Sequence, residues 1–429
     1  MSRRPRRFRL VHLAAVPAAF VLSVVTTLAW AWTGGVDQLG LPLGAVGDPT
    51  VSLPVLAAPD TPVLSGRLPG FTTRPSPVPS SSRPSTPSAT QVTSDAAYTA
   101  PPAQPVPVAR QAGCRTGRKL VPTCGILWGV APGAHTERRG ASALAEFERK
   151  TGRTQAIYHA YHGGIRQLFP TPQEIAIARQ PGRHRILFLN WKPEAASWAA
   201  IARGDKRTDA FLDRLAVHIR QTFPEQFFLA IHHEGENDVR PRAGSGYTAR
   251  DYAAMFRHVV VRLRAHGVTN MVTVLVHMTY VPHATQSWFN QMYPGDDVVD
   301  WIGFDTYAYS DPGYGHGDFT QVFNRKIEGA GQRSWPGFYT WAVTRHAGKP
   351  IMIAEWGVWS SKRNTTYKVD FYHQLGSEIR RFPKVRALVQ FETPHNQKGQ
   401  DSSVDSTPAA LQAYRSLGKL PIFQVAVGS

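Results

Sequence analysis

Cysteine is nearly absent from this chain. Only Cys114 and Cys124 occur in 429 residues. So few thiols exclude a disulfide-dense scaffold, and without a nearby His-x-His they make a poor zinc site. In an exported protein, an even pair this close reads as one disulfide. Lysine and glutamate are missing altogether from the first 110 residues. After the first 35 residues, no uncharged apolar run approaches the roughly 20 residues that cross a bilayer. No G-x-G-x-x-G follows the first strand-like run, and no H-E-x-x-H occurs anywhere, so the common dinucleotide and zinc-protease signatures are lacking.

The first 35 residues have their own character. Arginines 3, 4, 6, 7 and 9 precede an uncharged stretch from Leu10 to Trp32. A basic start followed by an apolar run is an export signal. Ala29-Trp30-Ala31 offers a cleavage site, and the run is equally long enough to remain as an uncleaved anchor. Residues 36–110 are rich in Pro, Ser, Thr and Ala, as in PSPVPSSSRPSTPSATQ. They hold too little apolar surface to offset chain entropy, and read as a disordered spacer. The formal charge is +18, of which nine arginines against four aspartates in the first 110 residues account for the smaller part. The basic residues of the remainder are scattered and match no nucleic-acid-binding motif. We therefore expect no nucleic-acid partner, and expect membrane contact only through the N-terminal segment.

Residues 111–429 suit one large domain. Eight short apolar runs recur there: 124–130, 154–160, 185–191, 227–233, 271–277, 298–305, 350–356 and 385–391. Amphipathic segments separate them. TPQEIAIARQ places Thr171, Pro172 and Glu174 as a capping box with proline at the first helical position. YTARDYAAMFRHVVVRLRAHG has Thr248 and Asp251 in the same spacing and Gly267 as a stop. SWFNQMY, PGFYTWAVTRHAG and YKVDFYHQLGSEIRRF read as further helices. Strands alternating with helices imply a parallel sheet. Eight units predict a closed (β/α)8 TIM barrel, with an open doubly wound sheet as the competitor.

Barrel chemistry collects at the C-terminal ends of strands. Here those ends carry His159, Tyr161 and His162, then Asn190-Trp191-Lys192, then His232-His233-Glu234, His277, Asp305-Thr306-Tyr307, Glu355-Trp356 and Phe391-Glu392. Carboxylates among aromatic rings suit a sugar, whose C–H faces stack and whose hydroxyls need paired partners. Glu234 follows the fourth run and Glu355 the seventh, nearly opposite each other across a barrel mouth. Two facing carboxylates are what glycoside hydrolysis requires.

Several stretches resemble glycoside hydrolase family 26, a family of retaining endo-β-glycanases best known for β-mannanases. They are WGVAPG (128–133), His233-Glu234, VDWIGFDTY (299–307) and IAEWG (353–357). The resemblance spans roughly residues 120–420. It implies an acid/base after the fourth strand, Glu234, and a nucleophile after the seventh, Glu355. It implies that His233 holds the acid/base and sugar hydroxyls and that Tyr307 orients Glu355. Trp191 would be a stacking platform, His159 or His162 a polar contact at the cleavage subsite, and Trp356 and Phe391 further substrate contacts. No cofactor or metal is implied, and a monomer is expected. The chain departs from the family's His-Glu-Met-Asn-Gly by reading His-Glu-Gly-Glu-Asn-Asp, with Val239 where a tryptophan falls. Glu236 is an alternative acid. Two other readings remain: a non-catalytic carbohydrate-binding protein on the same barrel, and a metal-dependent hydrolase using His159, His162, His232, His233 and His277.

Overall fold

A computed structural model describes residues 113–309, 318–328, 334–396 and 400–427. The expected export segment and spacer lie outside the described residues. Eight parallel strands close into a barrel in sequence order. They are β1 (Leu127–Pro132), β2 (Ile157–Gly163), β3 (Ile186–Lys192), β4 (Phe227–Ile231), β5 (Met271–Met278), β6 (Trp301–Tyr309), β7 (Ile351–Trp359) and β8 (Val385–Glu392). β8 pairs back onto β1 from Leu127↔Ala387 to Pro132↔Glu392, which closes the ring. The barrel is the architecture the eight apolar runs predict, and the open sheet is excluded.

The helices begin where local chemistry allows. Thr171 and Thr248 each accept a backbone N–H while the Glu174 and Asp251 side chains reach back, so both capping boxes form. Asp205, Ser197, Asp318 and Thr407 cap four more helices. One expectation changes. SWFNQMY forms only a single 3-10 turn, Phe289–Met292, after a one-turn helix at Val281–Ala284. The crossover there has too few apolar positions at helical spacing to sustain a longer amphipathic face.

Alternation along the strands splits the buried residues into layers. Leu127, Ile157, Phe188, Phe228, Val274 and Trp301 fill the barrel interior. Trp128, Leu189, Trp191, Leu275, Phe304 and Trp356 face the helices. Near the C-terminal mouth a third cluster joins Ala131, Ala134, Tyr307, Tyr309, Trp359 and Phe391. The N-terminal end is plugged by the arm 113–126. Cys114 and Cys124 are disulfide-bonded, as their spacing predicts, with Cα atoms 5.0 Å apart. Cys114–Arg115 pairs with Val425–Ala426, and the Trp301 indole N–H donates to Lys119 O at 2.9 Å.

β7 contains an irregularity that matters for the mouth. Phe304 pairs with Ile353, but Asp305 pairs with Glu355, so Ala354 is an extra residue. The register against β8 shifts over the same stretch. A bulge reverses the facing of every residue after it. Ile351 and Ile353 face the helices. Without the bulge Glu355 would do so too.

Candidate active site

Glu355 sits at the bottom of the mouth and is 5% exposed. The Tyr161 hydroxyl donates to its Oε1 and the Tyr307 hydroxyl to its Oε2, each at 2.6 Å. His233 Nε2 lies 3.8 Å from Oε1. Burial raises the Glu355 carboxyl above the usual range, while the two hydroxyls act in the opposite direction. Both phenols are themselves pushed far up by burial and by Glu355, so they remain protonated donors.

Glu234 has a different setting. It follows β4 through a sharp elbow in which His232 and Glu234 both take left-handed backbone, with φ of 51° and 50°. Such φ values in non-glycine residues are held by their surroundings. Tyr252 supplies part of that hold, with its hydroxyl donating to Ile231 O and His232 O at 3.2 and 3.1 Å. A Cβ on Gly235 would lie 2.4 Å from the Tyr252 ring, which accounts for glycine at that position. The half-buried Glu234 carboxylate receives one side-chain donor, Asn237 Nδ2 at 3.2 Å. Burial, then the neighbouring charges of Glu355 and Glu236, push its carboxyl well above the ordinary glutamate range.

A second network fixes the elbow. The Trp198 indole N–H donates to His232 Nδ1 at 3.2 Å, so the imidazole proton lies on Nε2, which donates to Asp238 at 2.8 Å. Asp238 also takes Lys192 at 2.9 Å. These contacts hold its carboxyl far below the usual range. His233, half-buried, is pushed down to about 3 by desolvation and by Lys192, and is neutral.

The residues singled out in the sequence separate into two groups. Tyr307 bonds Glu355, as the resemblance implies; His233 lies beside Glu355 and makes no hydrogen bond to Glu234 among the described residues; and Phe391 belongs to the mouth cluster. His159 is on the mouth side but beneath Tyr161. It stacks on Phe188 with centroids 4.1 Å apart, and its Nδ1 lies 3.3 Å from the Tyr161 hydroxyl. The Tyr161 proton goes to Glu355, so this contact requires His159 Nδ1–H as donor. Three residues are corrected. Trp191 is fully buried, stacks on Phe211 and donates to Gly164 O, so it is no sugar platform. Trp356 packs between Trp128 and Tyr414 on the helix side of β7. His162 pairs with Glu174 at 3.1 Å and stacks on Phe169, away from the cleft. Each is an odd step along its strand from an inward-facing neighbour, and alternation turns it outward.

Glu236 is also removed from the acid role. It is 2% exposed and bonded to His277 Nδ1, and His277 packs against Phe289 and Trp341 in the helix layer. Four of the five histidines proposed as metal ligands have separate partners: His159 with Tyr161, His162 with Glu174, His232 with Trp198 and Asp238, and His277 with Glu236. One cluster of three potential donors exists among the described residues: His233, Asp305 and Glu355, with ligand atoms within 4.8 Å of one another. A cation there would compete with two tyrosine hydroxyls for Glu355.

Three mouth residues were not assigned from sequence. Tyr161 is two positions beyond His159 and shares its face. Trp359 is four beyond Glu355 and stacks on Tyr307 with centroids 5.0 Å apart. Asp305, two before Tyr307, is fully buried beside Glu355 with neither carboxyl oxygen hydrogen-bonded among the described residues. Its carboxyl is driven well above the aspartate range by burial and by Glu355 and Glu234. Period-two counting was the available signal for all three.

The fold and mouth define a class: (β/α)8-barrel proteins that deliver one carboxylate from β4 and another from β7 into an aromatic-walled cleft. Within that class the resemblance to family 26 is borne out. The family model described as glycosyl hydrolase family 26 matches residues 206–329, a span that includes Glu234 and Tyr307 but ends before Glu355. Endoglucanase H of Acetivibrio thermocellus is 29% identical over 285 residues, covering 64% of this chain. The chain spans only 28% of that relative's length. A family 26 β-mannanase structure from Bacteroides ovatus superposes with a TM-score of 0.50 at 16% identity, covering 71% of this chain and 90% of that one. That last likeness is one of fold.

Proposed function

We propose that this chain is an exported glycoside hydrolase that cleaves a β-linked polysaccharide internally, with retention of configuration. Glu234 is the acid/base and Glu355 the nucleophile. One observation carries the reading: the two facing carboxyls are held unequally. Among the described residues Glu355 accepts two tyrosine hydroxyls, whereas Glu234 accepts a single side-chain amide N–H. Hydrogen bonds to a carboxylate favour its charged form, and a nearby negative charge favours the neutral form of its neighbour. The first proton to leave the pair is therefore that of Glu355, and Glu234 keeps its own. That is the division of labour a nucleophile and an acid need.

In the first step a Glu355 oxygen attacks the anomeric carbon. The glycosidic bond breaks, and the Glu234 proton passes to the departing oxygen. This leaves a glycosyl ester on Glu355 and an ionised Glu234. In the second step Glu234 takes a proton from water, whose oxygen attacks the same carbon and releases Glu355. Both protonation states are restored and the configuration is retained. Tyr307 and Tyr161 hold the nucleophile, and His233, neutral, faces the same sugar. The family 26 match supports the reaction class. Endoglucanase and β-mannanase relatives support a β-glucan or β-mannan backbone. The arginine-rich start and apolar run support export.

Chemical rescue tests the assignment. Glu355→Ala should abolish hydrolysis, and azide should restore turnover as a glycosyl azide of inverted configuration. Glu234→Ala should spare activated glycosides, which need little protonation, and give an azide product of retained configuration. Hydrolysis that survives both substitutions would remove the mechanism. If no glycan in a panel of β-mannans, β-glucans and β-xylans is bound or cleaved, the carbohydrate reading itself fails.

A further inference from the structure

The elbow that carries Glu234 leans on the strand beside it. The Glu234 N–H donates to Val276 O of β5 at 3.2 Å. β5 then runs through Thr279 and Tyr280 into the one-turn helix Val281–Ala284, where the His283 N–H donates to Tyr280 O at 3.0 Å. This turn brings the half-buried His283 imidazole against Asn237, which lies in the 3-10 turn Gly235–Asp238 of the elbow. His283 Nε2 is 3.1 Å from Asn237 Oδ1, and Asn237 Nδ2 is 3.2 Å from Glu234 Oε2. The rings of Tyr280 and Trp288 lie beside the imidazole, with centroids 4.9 and 6.1 Å away. A line of side chains therefore runs from the loop after β5 to the carboxyl of Glu234. The line has a direction. A carbonyl oxygen only accepts, so the contact with Asn237 Oδ1 requires His283 Nε2–H as donor. Burial holds the imidazole below its ordinary pKa, so near neutrality it is uncharged and this is its one N–H. The amide NH2 is thereby turned to Glu234. The reversed pattern, with Nδ2 donating to His283 and Oδ1 accepting from Glu234, serves a protonated Glu234 only. An ionised carboxylate is purely an acceptor and needs the N–H.

We propose that His283 is a positioning residue for the acid/base: by donating to Asn237 Oδ1 it fixes the amide with Nδ2 toward Glu234 Oε2, and so leaves the transferable proton on Glu234 Oε1. A protonated carboxyl donates through its hydroxyl and accepts best through its carbonyl oxygen, so an N–H on Oε2 makes Oε1 the hydroxyl. With the amide reversed, Oε2–H would be held by Oδ1 and withheld from the departing oxygen. The same N–H stabilises the carboxylate after the proton has left, so one fixed amide serves both halves of the reaction. Glu234 also faces Glu355, Glu236, Lys192 and Asp238, and His283 faces Glu236. Those charges stay the same whichever way the amide points. The inference rests on the reading of Glu234 as the acid/base.

Two substitutions separate a donor from a ring. His283→Phe keeps an aromatic ring between Tyr280 and Trp288 and removes the N–H, whereas His283→Gln loses the ring and keeps a donor at the same reach. The substrates are β-mannan or β-glucan, whichever the parent cleaves, and the matching dinitrophenyl β-mannobioside or β-cellobioside, whose leaving group needs no proton. We expect His283→Phe to lower kcat/KM on the polysaccharide by roughly 3- to 10-fold and to leave the activated glycoside within about twofold. The alkaline limb of the polysaccharide profile should move up by about half a unit or more, because a donor to the ionised Glu234 is lost. His283→Gln should restore both rate and limb. Asn237→Ala should shift the limb in the same direction, and adding His283→Phe to it should cost nothing more, since His283 acts through that amide. Carbon-13 NMR of glutamate-labelled protein, with Glu234→Gln identifying the signal, reads the Glu234 pKa without any substrate, and should show the same upward shift in His283→Phe. Should His283→Phe be misfolded by circular dichroism, His283→Leu replaces it with the same expectations. Equal losses on both substrates, a His283→Gln as impaired as His283→Phe, or an unmoved Glu234 pKa in an active enzyme overturns the role of His283 and leaves the catalytic reading standing. A parent that cleaves no glycan removes that reading and the positioning role with it.

Discussion

At the residue scale the site is an arrangement for keeping two carboxyls in different states a short distance apart. Tyr161 has the most direct leverage on it. Its hydroxyl holds Glu355 Oε1 from β2, and His159 backs that hydroxyl from below. A hydrogen bond to a charged partner is worth about 1.5–3 kcal/mol. Tyr161→Phe should therefore lower kcat/KM by roughly 10- to 100-fold. Losing a donor to the ionised form raises the Glu355 pKa, so the acid limb of the kcat/KM profile should move up by about one unit or more. The alkaline limb, set by Glu234, should stay in place. A loss of rate with both limbs unmoved would show that Tyr161 only fills space. Little in the sequence distinguishes Tyr161 from His162. Both are polar, adjacent and at the end of a strand, and only the facing of β2 separates the one that touches Glu355 from the one that pairs with Glu174.

At the scale of elements, the plug and the bulge do the positioning. The disulfide closes a loop between residues 10 apart at the base, around Lys119 and Leu120. A loop of that length corresponds to about 2–3 kcal/mol in the chain-entropy model. Cys114→Ser/Cys124→Ser should lower the melting temperature by about 4–8 °C, as scanning calorimetry would read it. Activity measured well below that temperature should be kept, because the plug lies at the end opposite Glu234 and Glu355. An unchanged melting temperature would mean the arm is held by Trp301, Asp300 and the Val425–Ala426 strand alone. The capping boxes at Thr171 and Thr248 were legible because they depend on residues three apart. The bulge at Ala354 was not, because a register shift is a relation between β7 and its neighbours.

For the whole molecule the cost of this site should appear as pH dependence of stability. Glu234, Asp305 and Glu355 all have carboxyls raised above their unfolded values by burial, and Glu234 and Asp305 also by the neighbouring carboxylates. A group with a raised folded pKa stabilises fully below its unfolded pKa, and that stability is lost as pH rises through the folded value. Asp238, Asp300 and Glu174 are shifted the other way by their partners, so their contribution is lost only as pH falls below the usual carboxylate range. The melting temperature should therefore fall between about pH 5 and neutrality. Asp305→Asn removes one raised carboxyl, and should make that fall smaller and leave the variant more stable at pH 7. An equal fall in variant and parent would mean that Asp305 is not a source of the strain.

The sequence by itself determined the eight strands, most of the helices between them, the disulfide and the two glutamates at the ends of β4 and β7. Each of these rests on composition or on spacing within a few residues, where the chain's own periodicity acts. It did not determine which rings line the mouth. Trp191 and Trp356 were as plausible as Trp359, and the facing of the β7 rings depends on one extra residue paired against β6 and β8. Nor did it determine that Glu236, two positions from Glu234, is bound to His277 in the helix layer, since the left-handed turns at His232 and Glu234 are maintained by Tyr252 on a neighbouring helix.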